Sequence, residues 1–339
     1  MRVIVTGTAG FIGYFVANNL LGKGHYVVGI DNVNSYYDTR LKEARLQNLK
    51  KFENFKEARI DMKDRRPIEA VFEDEKPDIV INLAAQAGVR YSFENPHAYL
   101  DSNVYGFLNI LEGCRHCNVK HLVFASTASV YGANGKMPWS EHDGCSHQLS
   151  LYAATKKANE SMGHSYSHLF NIPSTCLRFF NVYGPWGRPD MALFLFAKNI
   201  IAEKPIDVFN NGHMVRDFTY VEDIAEGVCR VALGPIPEAD KNWDGSVANP
   251  DPSSSGVAPF KMYNIGNSNP VKLMRYIELI EREVGKKAVI NFMPIQPGEI
   301  EKSEADNAML YADYDFKPKV SVEEGVHNFV KWYREFYGV

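Results

Sequence analysis

The chain's 339 residues are 45% hydrophobic and 23% charged, with a net charge of −4, enough material for one large core or two joined lobes. That balance leaves no basic footprint for nucleic acid or an anionic membrane surface. The most apolar run, "MALFLFAKNIIAEK", is interrupted by charge well short of a membrane span. Five cysteines at irregular spacing, in a chain that enters a strand pattern directly at "MRVIVTG", predict a cytoplasmic protein with no leader ahead of the fold.

Strand-length apolar runs alternate with amphipathic segments. The strands read "RVIVTG", "YVVGID", "FKEARID", "DIVINLAA", "HLVFAST" and "PSTCLRFF". Helical patterns lie between them at 38–50, 66–74, 97–116 and 152–170. Such alternation predicts an α/β fold: a doubly wound parallel sheet of Rossmann type with helices on both faces. Beyond about residue 180 the regularity weakens. Residues 235–259, rich in Pro, Ser, Gly and Asp, read as an excursion loop, and shorter helices are expected at 270–282 and 321–337. We divide the chain into a dinucleotide-binding part, 1–178, and a smaller α/β C-terminal lobe for substrate, 179–339. Part of 215–265 is expected to return to the sheet.

The first strand runs into Gly7, Gly10 and Gly13, with Phe11 and Ile12 between them, and then into a helical pattern. Glycines there let backbone N–H groups approach a pyrophosphate at the positive end of the helix. Asp31, followed by Asn32, ends the second strand. A carboxylate at that place binds a ribose 2′-OH and repels a 2′-phosphate, which favours NAD over NADP. Asp61 is set for the adenine edge, and Leu83, Ala84, Ala85 and Gln86 offer a surface for the cofactor to lie on. The pair Cys114 and Cys117 comes at the end of a helical pattern without a second cysteine pair, and reads as packing rather than a metal site.

Tyr152 and Lys156 stand at i, i+4, so an ammonium and a phenol share one helix face. A phenol titrates near ~10 and is a poor base at neutral pH; a nearby cation favours its phenolate. Thr127 closes the fifth strand, placed to bond a substrate oxygen. Further on, Arg188 sits in the stiff turn "GPWGRP", where a guanidinium meets an anion or pairs with Asp190 at the surface.

Gly7/Gly10/Gly13, Thr127, Tyr152 and Lys156 resemble the extended short-chain dehydrogenase/reductase family, in its nucleotide-sugar branch. The similarity runs along essentially the whole chain. The stretches "DNVNSYYDTRLKEARL", "AAQAGVRYSFENPHAY" and "VYGPWGRPDMALFLF", together with the 241–259 loop, resemble the UDP-glucuronate 4-epimerases within that branch. The resemblance implies bound NAD, a UDP-sugar substrate, and a transient 4-keto sugar whose ketone is reduced from its other face. It implies that Arg188 faces the C6 carboxylate, and that Arg216 and Arg90 meet the diphosphate. Asn181 then bonds the sugar or a phosphate, Glu299 the uridine ribose, and Asn103 is placed on the cofactor side. It also implies a homodimer built through the helices at 97–116 and 152–170.

Ala128 and Ser129 stand where dehydratases and decarboxylases of the branch carry acids, so elimination lacks its proton donor and acceptor. Oxidation at C4 would make the substrate a β-keto acid, and Arg188 is expected to hold the carboxylate off the alignment that loses CO2. Asn181 departs from the threonine usual in glucuronate epimerases. That departure leaves a neutral-sugar 4-epimerase as the nearest alternative, ahead of a UDP-glucuronate decarboxylase and a non-catalytic NAD sensor.

Overall fold

In the computed structural model, which describes residues 1–296 and 298–339, seven parallel strands form one sheet. Its first strands are β1 (Arg2–Thr6), β2 (Tyr26–Asp31), β3 (Phe55–Arg59), β4 (Ile79–Asn82), β5 (His121–Thr127) and β6 (Ser174–Phe179). The order across the sheet is Phe260–Ile265, β6, β5, β4, β1, β2, β3. The chain order reverses beside β1, where β1 pairs with both β2 and β4. That reversal opens a crevice at the carboxyl edge of an open α/β sheet.

Both faces of the sheet are buried, which explains why its strands read as continuous apolar runs. Val3 and Val5 belong to one core with helix α1 (Phe11–Gly22) and the Val221–Leu233 helix. Ile4, Val28 and Val80 face the opposite core, with α3 (Arg65–Glu75) and the Gly106–His116 helix. Cys114 lies inside that second core, and the Cys117 thiol donates to the Phe72 carbonyl oxygen at 3.3 Å. A third core gathers Leu193, Phe218, Tyr276 and Phe329 under the Ala192–Ile201, Leu273–Val284 and Val322–Tyr337 helices. This lobe covers the carboxyl edge of the sheet through short strand pairs, among them Asn181–Tyr183 with Phe218–Tyr220.

The expected helix at 97–116 differs in one respect. A π-helical segment, Leu100–Tyr105, joins Pro96–Tyr99 to Gly106–His116. Asn103 lies in this widened turn and points inward, a placement that π-turns commonly serve near functional sites. The 235–259 loop is organised around Trp243, whose indole N–H donates to the Asp251 carbonyl oxygen at 2.8 Å. Among the described residues no helix is long and apolar enough to cross a membrane.

Two glycines of the first turn are required by space. Gly7 has φ +80°, and a Cβ there would lie 2.9 Å from the Ala84 nitrogen; at Gly13 it would lie 2.1 Å from the Gly7 carbonyl oxygen. Gly13→Ala should therefore lower stability by about 1–3 kcal/mol through overpacking. The check is a reduced urea midpoint at unchanged slope; a wild-type midpoint would mean that the loop yields without cost.

Candidate active site

A cleft of about 1000 Å³ runs along the carboxyl edge of the sheet, between it and the smaller lobe. Its floor begins at α1, whose N-cap is Gly10, with neither a side-chain cap nor an acid in the first turn. Helix α2 (Thr39–Leu49) is capped by Asp38, and the Leu151–Phe170 helix by Ser150. The first N–H groups of α1 are thus left without a side-chain acceptor at the positive end of a helix dipole, and the cradle fits a diphosphate. The Asp31 carboxylate accepts from the N–H of Ala9 at 3.0 Å and of Val33 at 2.8 Å, binding it to the glycine turn. Burial pushes its carboxyl up in spite of those bonds. Asn32 donates to Asp61 at 2.9 Å, so the two expected residues at the adenine end form one wall.

Tyr152 occupies the first turn of its helix and meets Thr127 at the end of β5. Burial pushes the phenol up, while the Thr127 hydroxyl and the Arg188 guanidinium pull it down. Lys156 follows one turn further along the same helix. Its ammonium is itself buried, and desolvation lowers it to about 8 against the opposing pull of Cys176 and Glu160. One turn on, Glu160 accepts from Ser126 Oγ at 2.6 Å and from Arg178 Nε and a terminal nitrogen at 2.9 and 3.0 Å. Burial pushes that carboxyl up, but Arg178 outweighs it and holds Glu160 down at about 2.

The other end of the cleft is lined by arginines with different partners. Arg188 donates through Nε and a terminal nitrogen to Asp190 at 3.0 and 2.5 Å, and Tyr36 donates to the same carboxylate at 3.2 Å. Burial would lower the guanidinium, yet Asp190 holds it above its ordinary value. A Cβ on Gly88 would lie 3.7 Å from both Arg188 and the Tyr99 hydroxyl. The Tyr99 ring stands 6.1 Å from that of Tyr152, so the arginine and the phenol face the same end. Arg216 gives its hydrogen bonds to the Val215 and Glu301 carbonyl oxygens, at 3.0 and 2.9 Å. Burial lowers it with only Glu299 opposing, which leaves a cation short of a counter-charge. Arg90 pairs with Glu299 and lies 4.4 Å from the Phe209 ring centroid. Asn181 accepts from Ser303 Oγ at 3.5 Å, and Ser129 donates its backbone N–H to Thr127 Oγ1 at 3.3 Å.

The sequence-expected residues border this one cleft, with Asn103 the exception. Asn103 is buried behind the wall, where it accepts from the Gln86 N–H at 2.8 Å and donates to its carbonyl at 3.0 Å and to Thr155 Oγ1 at 3.0 Å. It shapes the Gln86 loop instead of facing the cleft. Sequence reasoning did not single out Tyr36 and Lys42, which also line the cleft beside Asp190. Lys42 falls on the inward face of α2, where its ammonium donates to Asn34 at 2.7 Å; the spacing of "RLKEARL" carried that signal.

Residues 3–238 match the NAD dependent epimerase/dehydratase family. The chain is 53% identical over 337 residues to Protein CapI of Staphylococcus aureus, covering 99% of each. It is 47% identical to a probable UDP-glucuronate 4-epimerase of Rhizobium meliloti, covering 99% of this chain and 98% of the other. In three dimensions it is similar to UDP-glucuronic acid 4-epimerase from Bacillus cereus, crystallised with UDP-glucuronic acid and NAD. The TM-score is 0.87 at 31% identity, with 99% of this chain and 100% of the other covered.

Burial of Lys156 has a measurable consequence in the cofactor-free protein. Its folded value of about 8 lies below the unfolded ~10.4, so between the two the unfolded state binds more protons and stability rises with pH. Below pH 8 that contribution is flat. The stability of wild type relative to Lys156→Met should therefore grow as pH rises from about 8 towards ~10.4, measured by urea melts. A constant or shrinking difference would refute it.

Proposed function

The chain belongs to the NAD-dependent epimerase/dehydratase family, and from that premise we propose that it is a UDP-glucuronate 4-epimerase, interconverting UDP-glucuronate and UDP-galacturonate. It is an isomerase that uses NAD. The observation that carries the substrate reading is Arg188, whose guanidinium shares the phenol end of the cleft and acts on Tyr152 across it. A cation there suits a sugar carrying a carboxylate close to the reacting carbon.

When bound, NAD accepts a hydride from the sugar C4 and returns it. The residues do the rest. The uncapped start of α1, from Gly10 to Gly13, holds the pyrophosphate, and Asp31 meets the adenosine ribose and repels a 2′-phosphate. Tyr152, as phenolate, takes the proton of the 4-OH and gives it back, while the Thr127 hydroxyl bonds the same oxygen. Arg188 and the cationic nicotinamide ring both favour the phenolate; Lys156 orients the cofactor. Arg216, short of a counter-charge, takes the diphosphate, and the Arg90–Glu299 pair opens to receive the nucleotide. Ser129 offers a neutral hydroxyl where elimination would need an acid, so the 4-keto sugar is left to be reduced.

A second reading, a 4-epimerase for a neutral sugar, is favoured by one observation: the Arg188 fork is already engaged by Asp190. Exposed Leu100, Tyr105 and Leu169, on the helical runs at 96–116 and 151–170, support a homodimer through these helices. The five cysteines are free thiols, four of them buried, which suits the cytoplasm.

Three experiments test the proposal. NMR of the product from UDP-glucuronate with no added NAD should show UDP-galacturonate; conversion of UDP-glucose alone would favour the second reading. Tyr152→Phe should cut kcat by about 10²–10⁴-fold. Arg188→Ala should weaken uronate binding by about 1.5–3 kcal/mol and raise the decarboxylated pentose product. Wild-type KM and product ratio in that variant would remove Arg188 from the site.

A further inference from the structure

Arg45, on the inward face of α2, is fully buried, yet among the described residues it pairs with no carboxylate. Its guanidinium is held by oxygen atoms from three places. One terminal nitrogen donates to the Ala9 carbonyl and to the Tyr37 hydroxyl, each at 2.7 Å. The other donates to the Trp186 carbonyl and, at 3.4 Å, to that of Gly187. Ala9 belongs to the glycine turn that cradles the pyrophosphate, and Trp186 and Gly187 immediately precede Arg188. The Nε–H is left without a partner, so a buried charge is kept here at some cost.

An independent observation concerns the far end of this bridge. Trp186 has φ +59°, a conformation that bulky L residues rarely adopt. Its indole is wedged among Tyr14, Trp332 and Phe336, with centroids 5.1–5.8 Å away. The wedge fixes the side chain, and Arg45 fixes the peptide. A planar fork can hold two loops at once, whereas a lysine's single ammonium reaches fewer fixed directions.

We propose that Arg45 is a positioning residue that couples the dinucleotide loop to the Trp186–Arg188 turn, so that an occupied loop sets the arginine that faces the substrate. An anion held on the first N–H groups of α1 immobilises the loop. The Ala9 carbonyl then fixes the guanidinium, and the guanidinium fixes the Trp186 peptide and the direction in which Arg188 leaves it. The coupling rests on the NAD site; its effect on substrate choice rests also on the uronate reading.

The test follows amide hydrogen exchange in residues 184–191 of the full-length protein, with and without NAD, in wild type, Arg45→Met and Arg45→Lys. NAD should slow exchange there in wild type. In Arg45→Met that slowing should vanish while residues 7–13 remain protected by NAD, showing that the cofactor still binds. In the same variant kcat/KM for UDP-glucuronate should fall about 10–100-fold, with a smaller loss for UDP-glucose and more pentose product. Equal NAD protection of 184–191 in wild type and variant would overturn the coupling, and equal losses for both sugars would overturn its effect on substrate choice. Should Arg45→Met fail to fold, Arg45→Lys carries the same comparison with partial loss expected. Wild type that ignores UDP-glucuronate sinks the uronate reading, and the exchange measurement still decides the coupling.

Discussion

The placing of Thr127, Tyr152 and Lys156 depends on one buried ion pair. Glu160 and Arg178 are at most 2% exposed, and the carboxylate takes two guanidinium hydrogen bonds together with the Ser126 hydroxyl. The helix carrying Tyr152 and Lys156 is thereby pinned to β5 one residue before Thr127, and to β6 beside it. Lys157 adds a second cation to the same carboxylate from the rim, at 2.9 Å. Well-packed apolar side chains could hold these elements as firmly, because desolvating two ions offsets most of their attraction. What apolar packing lacks is direction. Helix and strands meeting through oil can slide by an ångström, and a misplacement of that size costs about 10²-fold in rate. The pair continues outward, since Arg178 also lies 4.7 Å from the centroid of Tyr131, which stacks on Trp139 and donates to Asn264.

The sheet and the cofactor turn were legible because their causes are local. Apolar runs buried on both faces, a glycine series between strand and helix, and a carboxylate at the next strand end each need only a few adjacent residues. Thr127, Tyr152 and Lys156 were legible for a similar reason: strand ends and helix spacing direct them to one edge. Glu160 was not, because within "KKANESM" it looks like one more charge on a solvated helix. Its partner lies on another strand, and only the folded register brings Arg178 beneath it. Arg45 and Lys42 were hidden in the same way, and Asn103 was misjudged by side: its helix was expected, but the π turn that aims it at Gln86 was not. Arg188 was not legible as a neighbour of the phenol, because it approaches Tyr152 from another element.

Four guanidiniums around the cleft illustrate how compensation separates roles. Arg178 has a full carboxylate and is committed to structure. Arg45 is held by carbonyl dipoles and a phenol, with its Nε–H unpartnered, a set that holds a charge without cancelling it. Arg216 has carbonyl oxygens and a distant acid, so its field reaches into the cleft. Of the two without a paired carboxylate, Arg216 alone lines the cleft, where an incoming anion can reach it.

Arg188 is the instructive intermediate. Asp190 occupies two of its nitrogens, and the chain between them is short and stiff. The guanidinium is therefore oriented before substrate arrives, and the entropy of ordering it is incurred in folding rather than in binding. A uronate carboxylate meets a cation with donors still free on its third nitrogen, but also meets the Asp190 charge, which disfavours a second anion nearby. Tyr36, itself in the cleft lining, donates to Asp190 at 3.2 Å and takes up part of that charge. A neutral sugar gains nothing from the remaining donors and loses nothing to Asp190. Under the uronate reading, selectivity at this site would be a difference between one attraction and one repulsion, both carried by the Arg188–Asp190 pair.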